Sequence, residues 1–315
     1  MPSFLDFEKP IAELQSRIDE LRDTAAGGNV DIATDVGRLQ AKSDKLLRDT
    51  FARLTPWQKT QVARHPERPH FKNYVAGLFD EFLPLAGDRA FADDQAIIGG
   101  FATFRGRKVV AIGHEKGEDT ATRLRHNFGM GKPEGYRKAI RLVELADRFG
   151  LPVVTLVDTS GAFPGIQAEE RGQAEAIARS TEACLNAGVP VIAAIVGEGG
   201  SGGAVALAAG NRVIMFEHAV YSVISPEGCA SILWRTSDRA PDAAEAMKVT
   251  AQDLKALGVI DTIVAEPLGG AHRAPQVAIA SLGDALEKAL KDLSSLSSAD
   301  LRQARRAKFL KMGRL

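Results

Sequence analysis

Between Val191 and Ala208 the chain changes character twice. The apolar run VIAAIV passes into GEGGSGG, five glycines in seven positions around Ser201, and then into the helix-compatible AVALA. A short, continuous apolar run bounded by glycine marks a strand buried on both faces. Such a strand needs helices on either side of a sheet, so the chain is restricted to α/β architectures. LPVVTLVD at 151–158 is a second run of this kind, and it leads into another glycine-bearing loop, DTSGAFPG at 158–165. Before it, PEGYRKAIRLVELADRFG reads as a helix, with Pro133 at its start and Gly150 just past its end.

The cycle then repeats. A helix is predicted around 168–187, a strand at 190–196, a helix from about 202 and strands near 212–224. Ser225-Pro226-Glu227 opens a further helix, Ser being a good N-cap and Pro suiting the first turn. Helices near 241–257, a strand at 259–264 and two C-terminal helices complete the chain. Upstream, AIIGGFATFRGRKVVAIGHEKG reads as two strands joined by a tight turn at Arg105-Gly106. The first 85 or so residues read as helix. Ile11, Leu14, Ile18 and Leu21, then Val36, Leu39 and Leu46 with Ser43 between, recur at helical steps, and AAGGN separates the two runs as in a helical hairpin. The expected organisation is an N-terminal helical region, 1–85, and an α/β domain, 86–315. The hairpin packs against the remainder or clasps another subunit.

Bulk properties narrow the function. Formal net charge is zero, so nothing global favours nucleic acid or an anionic membrane. Cys184 and Cys229 lie far apart, with no CxxC pair, which argues against a zinc ribbon or a disulfide framework. MPSFLDFEKPIAELQ lacks the basic start and apolar run of a secretion signal, and no apolar run nears the roughly 18 residues of a membrane helix. A cytoplasmic protein is expected.

In α/β folds the loops after strand C-termini carry the site, so DTSGAFPG and GEGGSGG are the candidates. Gly199-Gly200-Ser201-Gly202-Gly203 matches G-x-S-x-G, which would make Ser201 a hydrolase nucleophile. Five clustered glycines, however, satisfy many short patterns by chance. The backbone reading is stronger. Glycines let a ligand approach main-chain N–H groups closely. Those opening a helix are unpaired and sit at the positive end of its dipole, where an oxyanion is stabilised. Gly161 and Gly165 are placed to add donors from the other loop. No G-x-x-x-x-G-K-[ST] occurs, so ATP chemistry on this chain is not supported.

The blocks NFGMGKPEGYRKAIRL, DTSGAFPG, AEERGQAEAIAR, GEGGSGGAVAL, SVISPEGCASILW and EPLGGAHR, in this order, closely resemble the α subunit of bacterial acetyl-CoA carboxylase carboxyltransferase. The match runs from FLDFEKPIAEL to the C-terminal helices. The resemblance implies a crotonase-like fold of β-β-α units with an added N-terminal helical region. It implies transfer of a carboxyl group from carboxybiotin, carried on a separate biotin carboxyl carrier protein, to acetyl-CoA, giving malonyl-CoA for fatty acid synthesis. The implied partners are a β subunit of similar fold in an α2β2 assembly, which bears the acyl-CoA side and a zinc ribbon, and a biotin carboxylase that uses ATP. Gly202 and Gly203 match the family's oxyanion loop, whose N–H groups hold the ureido oxygen of biotin. Gly199, Gly200, Ser201, Ala204, Gly165 and Phe163 fall on the carboxybiotin side, and Gly161 is a further donor candidate. This chain has Ser160 where the family usually has Pro, and Phe163 where it usually has Tyr, which leaves the donors near Gly161 less secured than those at 202 and 203.

Other residues carry weaker signals. Eleven Lys/Arg stand against six Asp/Glu between Arg105 and Arg148. This is a solvated face or, at Lys116, Arg123, Arg125, Lys132 and Arg137, a basic rim for the carboxylate of carboxybiotin or the phosphates of CoA. Cys229 and Cys184 read as packing residues. His65 and His70 flank PERP, which blocks i,i+4 metal presentation. The competing functions are a stand-alone crotonase-type acyl-CoA hydratase or decarboxylase using Glu227, the Ser201 hydrolase, and a scaffold that only docks the carrier.

Overall fold

The structure is a computed structural model, and it describes residues 3–26 and 33–313. Helices α1 (Lys9–Ala26) and α2 (Ala33–Phe51) pack on each other, as the two periodic runs require. Most of the AAGGN connection lies outside the described residues. Ile11 and Ile18 are buried on α1, and so is Ser43 on α2, whereas Leu39 and Leu46 are half-buried. Helix α3 (Pro56–Ala63) opens on a reciprocal cap between Thr55 and Gln58, with Pro at its first position. Helix α4 (Phe71–Leu78) buries Phe71 and Tyr74 in the same core as the sheet, so the α3–α4 stretch is physically continuous with the α/β layer.

Strand β1 (Glu81–Pro84) then forms, where a continuation of helix was expected. It pairs antiparallel with β2 (Ile97–Phe104) at the sheet edge, the place where a strand tolerates a proline. Between β2 and β3 (Arg107–His114) the expected turn is present, with Arg105 and Gly106 at φ of 47° and 76°, the left-handed pair of a two-residue hairpin. Helix α5 (Thr120–Arg125) and helix α6 (Pro133–Phe149) follow, α6 closing on Gly150 at φ 66°.

From there the strands run parallel, beginning with β4 (Val153–Thr159). The single helix expected over 168–187 is two: α7 (Ile166–Glu170) and α8 (Gln173–Asn186), broken where Gly172 turns left-handed at φ 77°. Strand β5 (Val191–Gly200) is buried along its whole length and feeds α9 (Ser201–Ala208). Next come β6 (Arg212–Phe216), β7 (Val220–Ser222), α10 (Pro226–Trp234), α11 (Ala240–Met247), α12 (Ala251–Ala256), β8 (Thr262–Val264), α13 (Pro275–Leu293) and α14 (Ser298–Lys311). Ser225 caps α10 as expected, accepting from Gly228 N at 3.1 Å.

The sheet order is β1-β2-β3-β4-β5-β6-β8, antiparallel through β3 and parallel beyond, with β7 paired to the far end of β5. This is a crotonase-like α/β fold. Register slips between β4 and β5 after Val157, because Asp158 turns its carboxylate onto Glu198 N (2.9 Å), and a side chain at Gly197 would lie 2.4 Å from that carboxylate. Among the described residues no helix is long and apolar enough to cross a membrane.

Candidate active site

Strands β4 and β5 are neighbours and end together, so their two glycine loops meet. The contact leaves no room for side chains. A Cβ on Gly200 would sit 2.2 Å from Ser160 O, and one on Gly203 would sit 2.7 Å from Gly161 C and 2.8 Å from Ala162 N. Ser201 makes the strand-to-helix turn at φ 54°, unusual for a residue with a side chain. Gly200 is the N-cap of α9 and gives no side-chain bond, and the first turn holds no acidic residue. The opening amides of α9, Gly202 and Gly203 among them, therefore have neither an intrahelical acceptor nor a capping side chain. They lie at the positive end of the helix dipole, above the sheet.

Beside them opens a cleft of about 710 Å³. Phe163, Pro164, Ile177, Val223 and Ile224 form its apolar walls; Arg64, Glu169, Gln173 and Glu227 join Ser160, Ser201 and Ser225 on its polar side. Of the oxyanion and carboxybiotin-side candidates from the sequence, Gly161, Phe163, Ser201 and Gly202 line this cleft, as do Ser160, Ser225 and Glu227. Gly203 stands one layer behind, wedged against the Gly161–Ala162 peptide, and Ala204 is buried. Gly199 and Gly200 act as close-approach positions beneath, Gly199 against the Tyr221 ring and Gly200 against Ser160. Gly165 caps α7 and leaves space for the Phe163 ring, which a side chain there would strike at 2.3 Å.

Two expectations are corrected. Gly161 is not a free donor, because its N–H is given to Thr159 Oγ1 at 3.1 Å, while that hydroxyl donates to Gly161 O at 2.7 Å. The threonine thus ties the loop shut beside Ser160. Nor do the five basic candidates form one rim. Lys116 is spent on Asp158 at 2.6 Å, and Arg137 on Asp88 (2.8 Å) and the carbonyl of Arg171 (3.1 Å). Arg123 borders, with Lys116, a separate cavity of about 180 Å³, and Arg125 is exposed on α5. Lys132 alone reaches the cleft wall, its ammonium 5.4 Å from the Phe163 ring centre. Burial opposes the charge of Asp158, but Lys116 and then His70 outweigh it and hold its carboxyl below the usual range.

Arg64 was not legible in the sequence. It follows α3 in QVARHP, matches no motif, and reaches Glu198 at 2.7 Å and Glu227 at 2.5 Å. Burial works against its charge, yet the two carboxylates raise its pKa above the ordinary value. In turn Glu227 is held low despite partial burial, which suits an ion-pair member and not a general acid. The Ser201 hydroxyl forms no hydrogen bond to a histidine or carboxylate among the described residues, so no nucleophile-activating pair exists there. Cys184 is buried, its thiol pushed up to about 12 by burial. His65 stacks on His272 with ring centres 3.8 Å apart, and no metal-holding cluster of His, Cys, Asp or Glu occurs among the described residues.

Among solved structures the chain is similar to transcarboxylase 12S (TM-score 0.59, 20% identity, 72% of this chain, 42% of that one). It is also similar to the Pseudomonas malonate decarboxylase hetero-tetramer (TM-score 0.56, 17% identity, 67% of this chain, 84% of that one). At such identities the likeness speaks for the fold. Residues 4–313 match the family described as acetyl co-enzyme A carboxylase carboxyltransferase-like. The acetyl-coenzyme A carboxylase carboxyl transferase subunit alpha of Rhizorhabdus wittichii is 73% identical over 313 residues, 99% of this chain and 100% of that protein. The corresponding subunit of Sphingopyxis alaskensis is 73% identical over 314 residues, 100% of this chain and 100% of that protein. The chain belongs to the acetyl-CoA carboxylase carboxyltransferase α-subunit family.

Proposed function

We propose that the chain forms the biotin-side half of a carboxyltransferase that moves a carboxyl group onto acetyl-CoA to give malonyl-CoA. The observation that carries this reading is the uncapped amide end of α9, locked against the β4 loop and facing an apolar-walled cleft. The cleft fits a biotin ring on its own chemistry. Phe163, Ile177, Val223 and Ile224 suit the apolar bicycle, and free N–H groups opening a helix whose first turn holds no acid suit its ureido oxygen. Carried on a separate protein, carboxybiotin supplies the carboxyl group. The amides of Gly202 and Gly203 would donate to the ureido oxygen, and their fixed dipoles would meet the negative charge growing there; one such donor is worth on the order of 10² to 10³ in rate. Ser201 aims the turn, Ala204 and Gly199–Gly200 pack it, and Gly161 shapes the wall.

The chain holds half of a site. A β subunit of similar fold, in an α2β2 assembly, supplies the acyl-CoA side and a zinc ribbon, while a biotin carboxyl carrier protein and an ATP-using biotin carboxylase complete the cytoplasmic enzyme. A stand-alone hydratase is disfavoured by the Arg64–Glu227 ion pair, which occupies the only acid such a reading would use. Malonyl-CoA-dependent carboxylation of free biotin tests the assignment. Turnover is expected only when this chain and β are mixed; turnover by this chain alone would overturn it.

A further inference from the structure

Arg64 stands where the N-terminal helical region meets the cleft. Its guanidinium joins two carboxylates from distant parts of the chain. Nε and Nη2 donate to Glu198 Oε1 at 2.8 and 2.7 Å, and Nη1 donates to Glu227 Oε1 at 2.5 Å. Glu198 lies on β5, just ahead of the glycine turn, and is nearly buried. Glu227 sits in the first turn of α10, just beyond the Val223–Ser225 stretch, which lines the same cleft. One cation therefore ties β5, just ahead of the glycine turn, to the α10 side of the cleft. Arg64 also borders the smaller cavity containing His70, Lys116 and Arg123, so its side chain is the partition between the two spaces.

A planar fork suits this place. It meets two carboxylates arriving from different directions with separate N–H groups, which a lysine, a single point charge, cannot reproduce. Take the arginine away and Glu227 loses its one ion-pair partner among the described residues, Glu198 keeps only Lys116 at 4.0 Å, and α10 loses its only ionic tie to β5 among the described residues. Resting on the carboxyl-transfer reading above, we propose that Arg64 is a positioning residue for that reaction: it sets the spacing between the glycine turn and the α10 wall, and so the hold on the biotin ring, without touching the reacting atoms. In this reading the N-terminal helical region does more than pack, because it reaches the active cleft through one side chain.

The test uses the assembled enzyme with its β subunit and the reverse reaction with free biotin and malonyl-CoA. Wild-type turnover is read first; its absence would count against the functional reading and not against Arg64. Given wild-type turnover, Arg64→Ala is expected to lower kcat by about 10²-fold, the typical effect of misplacing a bound group by an ångström. The KM for biotin should rise while the KM for malonyl-CoA stays put. Arg64→Lys should recover part of the loss. Glu227→Gln, which keeps the Arg64–Glu198 contact and weakens only the tie to α10, should shift the same biotin parameters to a lesser degree, and it serves if Arg64→Ala fails to fold. The proposal is overturned if either variant leaves the biotin kcat and KM within twofold of wild type. It is equally overturned if activity falls only in step with the amount of assembled protein, with both KM values unchanged.

Discussion

A methyl group added at Gly203 separates the two loops that the site depends on. Built on the observed backbone, it lies 2.7 Å from Gly161 C, 2.8 Å from Ala162 N and 3.0 Å from Tyr136 Oη. Carbon atoms rest at roughly 3.5–4.0 Å from such neighbours, so one loop must retreat by about 1 Å. Two of the three obstacles are main chain and cannot swing aside. Overpacking of this kind costs about 1–3 kcal/mol of stability. Its catalytic effect is larger, since a donor moved off its oxyanion loses on the order of 10² to 10³ in kcat. Gly202→Ala is the control: its Cβ would meet only Ile177, at 3.4 Å, an ordinary contact on the cleft wall. With β present, Gly203→Ala should assemble yet lose kcat by about 10² or more. Gly202→Ala should unfold at nearly the wild-type temperature and mainly raise the KM for biotin. If Gly203→Ala retained half the wild-type turnover in assembled enzyme, the close contact of the two turns would be irrelevant to catalysis.

Other outcomes concern stability. Arg305 is fully buried with no acidic partner among the described residues, and its guanidinium donates to the carbonyls of Cys184 (2.7 Å), Ala187 (2.7 Å) and Val189 (2.8 Å) at the end of α8, and to Asn211 Oδ1. Arg305→Ala leaves those carbonyls unpaired, each worth about 1–3 kcal/mol, so a loss of at least about 3 kcal/mol in urea unfolding is expected. His114 is buried, and burial, against the pull of Asp158, lowers its pKa from 6.5 to about 4. Between those values the unfolded chain binds a proton that the folded chain does not, so stability rises with pH through this window, by about 3 kcal/mol in all. His114→Gln should flatten the difference in urea midpoint between about pH 5 and about pH 7; an unchanged slope would assign it to other groups.

Much of this molecule could be read along the chain. Apolar runs marked β4 and β5, Pro133 and Gly150 bracketed α6, Ser225 capped α10, and Arg105-Gly106 made the hairpin turn. Where reading failed, a local signal was outvoted by a partner elsewhere. Glu81–Pro84 looked like the tail of a helical region but is a strand, because β2 offers it an edge. Gly172 divides an otherwise continuous helical pattern by turning left-handed. Lys116 and Arg137 looked like part of a basic surface until Asp158 and Asp88 were found beside them.

Glycine spacing, strand-to-helix punctuation and the run of motif blocks are properties of neighbours in the chain, and they sufficed for the fold class, the two turns and the family. Folding in space alone brought Arg64 to Glu198 and Glu227, 134 and 163 positions away, and turned Gly161 N–H toward Thr159 instead of the cleft. Ion pairing and hydrogen-bond satisfaction depend on distances of a few ångströms between atoms. No periodicity in the sequence encodes those distances once the partners come from different elements.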